Sequence, residues 1–319
     1  MLSPRPTCRQ RVKRIASETL ATVGRTGLLD RRMPYLMKRV VPRLLYPGVL
    51  PPVPRPRRLR GLPVAVLCNP HNPMHRVPYW FGVLFERPLD ALLRRVLRPG
   101  DTVIDAGANF GHITILAAAL VHPHGTVHAF EPHPALAQML RDHAARQPRV
   151  GRIHVWAKAL SDHSGVETLR VNPDWLGAST LRPNPNSDSG TGTFVEEYEV
   201  ELVRADDLHL SPTTAGKIIV KVDVEGHEPA VIRGMTDLLA RTDAVVAEVT
   251  PGWIGGASGV ATLLSDLDRL GLEPWEMESV IEARLRRSTP ATIMERGQTN
   301  LLFARPGLVA AHFPNVEGT

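Results

Sequence analysis

Two cysteines, Cys8 and Cys68, occur in 319 residues, so neither a disulfide framework nor a cysteine-rich metal site is available. No apolar run approaches the ~18 residues of a membrane span. The N-terminus is basic, yet no continuous apolar h-region follows, which argues against a signal peptide and makes the cytoplasm the default compartment. Aromatics are sparse at 5 %, with no interleaving of aromatic and basic residues of the kind used to grip single-stranded nucleic acid. What remains is an ordinary globular composition, 43 % hydrophobic, in a chain long enough for one large or two small domains.

Charge is unevenly spread. Residues 1–60 carry a net +13, leaving −7 for residues 61–319. Such asymmetry marks either contact with anionic lipid or nucleic acid, or a solvated arginine-rich arm. Helical spacing links Val12, Ile15, Thr19 and Leu20, and again Leu36, Val40, Val41 and Leu44. Pro51–Pro56 reads as an extended linker. The expected organisation is a basic helical N-terminal arm and linker over 1–56, a catalytic domain over 57–305, and a C-terminal tail over 306–319.

Beyond the linker, Leu62–Leu67 suits a strand, Cys68–Pro73 a turn and Arg87–Leu97 a helix. Strands near 102–106, 126–130 and 152–158 then alternate with helices at 110–121 and 134–146. Alternation of this kind implies an α/β fold whose mostly parallel sheet is covered on both faces. After residue 160 the pattern changes. Val166–Val171 and Phe194–Val203 look like an inserted antiparallel hairpin, the second strand half-buried through Tyr198, Val200 and Leu202. Between them, 172–193 is long and polar, a functional or disordered loop, with Trp175, Ser179 and Thr180 able to touch a ligand. The parallel pattern resumes with a strand at 217–222, a helix at 228–240, a strand at 243–249 and a helix at 258–270. Strands at 274–283 and 299–304 suit an antiparallel edge.

The densest signal is Asp101-Thr-Val-Ile-Asp-Ala-Gly-Ala-Asn-Phe-Gly111. Val103 and Ile104 end a buried strand, Asp105 sits at its tip, and Gly107 and Gly111 bracket a tight turn into a helix. Asp-x-Gly-x-x-x-Gly differs from the dinucleotide fingerprint and matches the loop that holds S-adenosylmethionine. Glycine at 107 permits positive φ and close backbone approach. Asn109 suits a cap for the next helix. Asp105 suits a ligand carrying an ammonium and a sulfonium. Glu131, 20 residues after Gly111, ends the next strand, where an acid accepts hydrogen bonds from ribose hydroxyls.

Four stretches in order, 103–111, 129–134 (Ala-Phe-Glu-Pro-His-Pro), 159–162 (Ala-Leu-Ser-Asp) and 219–228 (Ile-Val-Lys-Val-Asp-Val-Glu-Gly-His-Glu), resemble the FkbM family of S-adenosylmethionine-dependent methyltransferases. The resemblance spans about 80–305, with Ala106 where the family most often has Val. It implies a class I methyltransferase fold, a Rossmann-like seven-stranded sheet with one antiparallel strand. It also implies O-methylation of a hydroxyl on a sugar, small molecule or natural product, with Ala159 and Leu160 at the cofactor. A tailoring enzyme of secondary metabolism fits this reading. The alternatives are an RNA methyltransferase using the basic arm and a membrane-associated methyltransferase of a glycolipid. Nucleic acid is disfavoured, because no catalytic Asn-Pro-Pro-Tyr or cysteine motif is present.

An aliphatic hydroxyl needs a proton acceptor. His227 ranks first by its unperturbed pKa, and Asp223 second. Asp223, Glu225 and Glu248 also offer oxygen ligands to a hard divalent cation, a role their spacing supports weakly, so no metal is expected. Glu225 and Glu228 equally suit a helix N-terminus. The acceptor, the role of the arm and the oligomeric state are not legible in the residues.

Overall fold

The computed structural model describes residues 55–68, 75, 78–79, 84, 86–147, 149–172, 177, 179–182, 196–208, 210, 216–279 and 284–317. The helices expected at 12–20 and 36–44, the turn after Cys68, Trp175, Phe194 and Val195 lie outside the described residues. Two compact units divide between Asp90 and Ala91, whereas the sequence reading starts the catalytic domain at 57.

In the first unit, β1 (Arg55–Arg58) pairs antiparallel with β2 (Ala65–Cys68). The end of the expected proline-rich linker is therefore a strand, its neighbour beginning three residues later than the sequence suggests. Pro56 is tolerated because a two-stranded ribbon has a free edge. Helix α1 (Arg87–Val96) runs across the boundary between the units.

The second unit contains β3 (Thr102–Ala106), α2 (His112–Val121), β4 (Thr126–Phe130), α3 (Pro134–Ala145), β5 (Arg152–Trp156), β6 (Ala159–Leu160), β7 (Gly165–Val171) and β8 (Glu196–Val203). It continues with β9 (Ile218–Val222), α4 (Glu228–Arg233), α5 (Thr236–Leu239), β10 (Ala244–Val249), α6 (Gly256–Asp268) and β11 (Glu273–Ser279). Last come β12 (Arg284–Arg287), α7 (Pro290–Arg296), β13 (Thr299–Ala304), α8 (Pro306–His312) and β14 (Asn315–Glu317).

The large sheet has the order β14-β12-β11-β13-β10-β9-β3-β4-β5. It holds nine strands, not the seven that the resemblance implies. The inner seven, β11 to β5, include one strand, β13, antiparallel to both neighbours. β12 and β14 extend the sheet past β11, because the segment read as a tail folds into α8 and supplies β14, paired parallel with β12. Strands β3, β4 and β9 are buried at every position, as near-continuous apolar runs between two helical layers must be. Helix α2 is apolar almost all round, with seven residues buried, and so is enclosed by neighbours. A side chain such as Ile115 or Leu116, fully buried there, contributes about 1.5–3 kcal/mol.

β7 and β8 form the expected hairpin, with β6 parallel to β8 as a third strand. The helix expected over 228–240 breaks at Gly234. A Cβ there would lie 1.8 Å from the Ser161 carbonyl, so the position takes only glycine, a poor helix former. Asp206 then restarts the helix, accepting from the backbone N–H groups of Asp237 (3.2 Å) and Leu238 (3.0 Å). No helix among the described residues is long and apolar enough to cross a membrane.

Candidate functional site

The strand order switches sides at β3, which is parallel to both neighbours: β4 and β5 follow on one side, β9 and β10 on the other. Ligands of open α/β sheets bind beyond the strand tips at such a switch point. The loop after β3 folds back onto β4, with Gly107 and Ala108 N–H both donating to the Phe130 carbonyl (3.0 and 2.9 Å). Gly107 has φ +75°, and a Cβ on it would stand 1.9 Å from the Asp223 carbonyl oxygen. Both facts require glycine.

Asn109 is not the helix cap. The cap position of α2 is Gly111, without a side-chain bond. Asn109 instead adopts φ +52°, and its Oδ1 accepts from the Phe110 N–H (2.8 Å), stabilising the turn itself. Asp105 also departs from its expected role. Its carboxylate is wholly buried, accepting from the Thr114 hydroxyl (2.6 Å) and lying 3.4 Å from the Lys221 ammonium. Its Oδ1 has no hydrogen-bond partner among the described residues.

Glu131 at the tip of β4 is 5 % exposed. Its oxygens accept from the N–H groups of Asn109 (2.7 Å) and His133 (2.9 Å). Burial pushes its carboxyl up to about 7, against the lowering effect of those bonds and of Lys221. Ala159 and Leu160 are buried in β6, with Leu160 in the main core.

An acidic pole lies just past β9 and at the end of β10. Asp223, Glu225 and Glu248 each place a carboxylate oxygen within 4.8 Å of the others. Glu225 has φ +55°, rare for a residue with a Cβ. The turn is clamped from two sides. Glu228 Oε1 accepts from the N–H groups of Val224 and Gly226 (both 3.1 Å), while the Thr180 hydroxyl donates to the Glu225 carbonyl (2.6 Å). Thr180 thus brings the long polar loop to the acids. Beside it, the Arg182 guanidinium stacks 4.6 Å from the Trp253 ring centre. Burial and the negative charges of Asp223 and Glu248 push Glu225 up to about 9; burial pushes Glu228 up to about 7.

His227 stands apart from this pole. Its Nε2 is 3.0 Å from the Ser161 hydroxyl, which is fully buried, and Asp162, His163 and Arg233 are the strongest charges on it. Burial pulls its pKa down, so the ring is neutral at pH 7. The sequence reading missed Lys221. The available signal was a lysine in the strand Ile-Ile-Val-Lys-Val, since a lysine buried on both faces must be paired.

The raised acids make stability depend on pH. Glu131, Glu225 and Glu228 keep a proton in the folded chain after the unfolded chain, near the ordinary 4.5, has lost it. Their effect is a stability that falls as pH rises towards 7 and 9. Histidines 128, 143 and 227, kept neutral by burial, act in the opposite sense, below about 6.5. Between about pH 6.5 and 9 the effect of the acids outweighs that of these histidines. Calorimetry in chelator should therefore show Tm falling over that range, with the upper half of the slope flattened in Glu225→Gln. A Tm that rises there would contradict the burial of these carboxyls.

The chain matches the family model of the methyltransferase FkbM domain over residues 105–270. It is similar to the 31-O-demethyl-FK506 methyltransferase FkbM of Streptomyces tacrolimicus, 34 % identical over 191 residues, covering 53 % of this chain and 72 % of that protein. It is also similar to the hexuronic acid methyltransferase AglP of Haloferax volcanii, 28 % identical over 169 residues, covering 52 % and 63 %. Among solved structures, an S-adenosylmethionine-dependent O-methyltransferase from Thermotoga maritima aligns with 70 % of this chain and 66 % of its own, at 14 % identity and a TM-score of 0.34.

Proposed function

The chain belongs to the FkbM methyltransferase family and is an S-adenosylmethionine-dependent methyltransferase, and from that premise we propose that it methylates a hydroxyl oxygen of a sugar or small natural product, as a tailoring enzyme. The observation that carries the reading is the carboxylate pole of Asp223, Glu225 and Glu248, set against the Gly107 turn. Carboxylates there accept hydrogen bonds from acceptor hydroxyls. The two relatives are named for 31-O-demethyl-FK506 and for hexuronic acid, which supports the class.

The residues fit the cofactor. Gly107 lets a backbone approach, and Glu131 presents acceptor oxygens at the second strand tip. S-adenosylmethionine supplies a methyl group on a sulfonium, a cation suited to an acid-lined site. Glu131 would hold the ribose hydroxyls, and the 107–111 turn would lie against the cofactor. Asp223, with Oδ2 3.5 Å from Lys221 and a quarter of its side chain exposed, takes the hydroxyl proton. We assign that role to Asp223 ahead of His227, whose Nε2 is engaged by Ser161. Aligning hydroxyl and methyl supplies the rest, a positioning effect of several kcal/mol. No metal is needed for this scheme. The basic segment 1–56 is proposed to approach an anionic surface carrying the acceptor, in a cytoplasmic enzyme.

Two measurements test this. Offered a uronic-acid saccharide, a hydroxylated macrolide and RNA, the enzyme is expected to add one methyl to a hydroxyl of the first or second, seen by mass spectrometry. Methylation of RNA alone would overturn the acceptor class. Calorimetry should show S-adenosylmethionine binding without NAD binding, and Glu131→Ala should weaken it by about 1–3 kcal/mol through loss of charge-assisted hydrogen bonds. Wild-type affinity should rise with pH through about 7 as Glu131 ionises, a dependence absent from Glu131→Ala.

A further inference from the structure

The scheme above gives work to the loops after β3, β4 and β9 but none to the lysine between them. Lys221 pairs in register with Asp105 of β3 and Val246 of β10, and is 5 % exposed. A buried ammonium is tolerated when it is paired and hydrogen-bonded, and this one is. Its Nζ donates to the Gly107 carbonyl at 2.7 Å and the Ala106 carbonyl at 3.3 Å. The same Nζ lies 3.4 Å from Asp105 Oδ1 and 3.5 Å from Asp223 Oδ2. Gly107 is the pivot of the cofactor turn, and Asp223 is the acceptor-side carboxylate. The backbone reinforces the link, since Asp223 N–H donates to the Ala106 carbonyl at 3.2 Å. The Lys221 charge also reaches further, helping to lower both Glu131 and Glu225.

We propose that Lys221 is a positioning residue that couples the two halves of the site, holding the Gly107 carbonyl and the Asp223 carboxylate on one ammonium. A change at Asp223 is then felt in cofactor binding, through Lys221. Asp105, which accepts from the Thr114 hydroxyl, pairs with the same ammonium. The inference rests on the methyltransferase reading and on the place of Asp223 in it.

The test is a double-mutant cycle read by calorimetry with S-adenosylhomocysteine, which needs no acceptor and carries no sulfonium charge. Asp223→Asn is expected to weaken binding about three- to tenfold in the wild-type background, the usual scale of coupling between contacting groups. In a Lys221→Met background the same change should have no effect. Lys221→Arg, which keeps the charge, should restore part of the dependence. A lysine that merely stabilises the fold would lower Tm in Lys221→Met and leave the Asp223→Asn effect equal in both backgrounds, and that result would overturn the proposal. So would an Asp223→Asn change without effect in the wild type. If Lys221→Met does not fold, Lys221→Gln closes the same cycle with the same two outcomes. Wild-type protein that binds no S-adenosylhomocysteine would overturn the cofactor reading itself, before any substitution is made.

Discussion

Replacing Asp223 by Asn should lower turnover by about 10²–10⁴-fold, the range that general base catalysis covers. The amide keeps the shape of the side chain but cannot take a proton from the acceptor. Cofactor affinity should fall only about three- to tenfold, the part that Lys221 passes on to the Gly107 turn, because Glu131 is untouched. His227→Ala should cost stability instead, since it takes from the buried Ser161 hydroxyl the shorter of its two hydrogen bonds and leaves it the 3.4 Å bond to Asp162, a loss of about 0.5–1.5 kcal/mol. Turnover of both variants, and of Glu248→Gln, measured with and without chelator, separates the mechanisms. A fall of 10²-fold or more in folded His227→Ala would return the base role to that histidine. Abolition of wild-type activity by chelator would assign Asp223, Glu225 and Glu248 to a cation. Full activity in Asp223→Asn would remove the carboxylate from the chemistry altogether.

Gly107→Ala is expected to abolish cofactor binding, with affinity lost by more than about 100-fold or the fold itself lost. Two costs add. An alanine at φ +75° is strained by about 1–2 kcal/mol. Its Cβ would also sit 1.9 Å from the Asp223 carbonyl, a backbone atom that cannot swing aside. Relief requires β3 and β9 to part at their tips, which displaces both the cofactor turn and Asp223. Gly61→Ala is the control. Gly61 has a similar φ of +73°, but nothing lies within 4 Å of its Cβ position. It should lose about the conformational term alone and bind S-adenosylhomocysteine unchanged. Equal behaviour of the two variants in calorimetry would show that φ, not the close approach to Asp223, makes Gly107 indispensable.

Much of the sheet was legible because its signals are local. Thr102–Ala106 and Thr126–Phe130 have the bounds expected of them. Apolar runs bounded by Gly100, Gly107 and Gly125 leave little freedom in where a strand starts and stops. The hairpin β7–β8 was legible through alternation, since one face of β8 packs inward at Tyr198, Val200 and Leu202 while Glu197, Glu199 and Glu201 point out. The helix at 228–240 was not, because its break is imposed by the Ser161 carbonyl and the Asp206 cap, neither of which is local.

The sequence alone determined most of the strand–helix alternation from β3 to α6, the glycines of the first loop, the acids near the strand ends and, through four spaced motifs, the family. Each is written in neighbouring residues, as periodicity, conformational freedom or charge at a run's end. Tertiary structure decided what those charges face. Asp105, read as a ligand contact, pairs with Thr114 and Lys221. His227 faces Ser161, 66 residues away in the chain. Three acids from two strands meet within 4.8 Å, and a lysine between two sheet neighbours joins Gly107 to Asp223. A carboxylate's pKa and partners depend on burial and on charges brought close by strand pairing, and pairing between distant segments is fixed by the packed sheet rather than by local spacing.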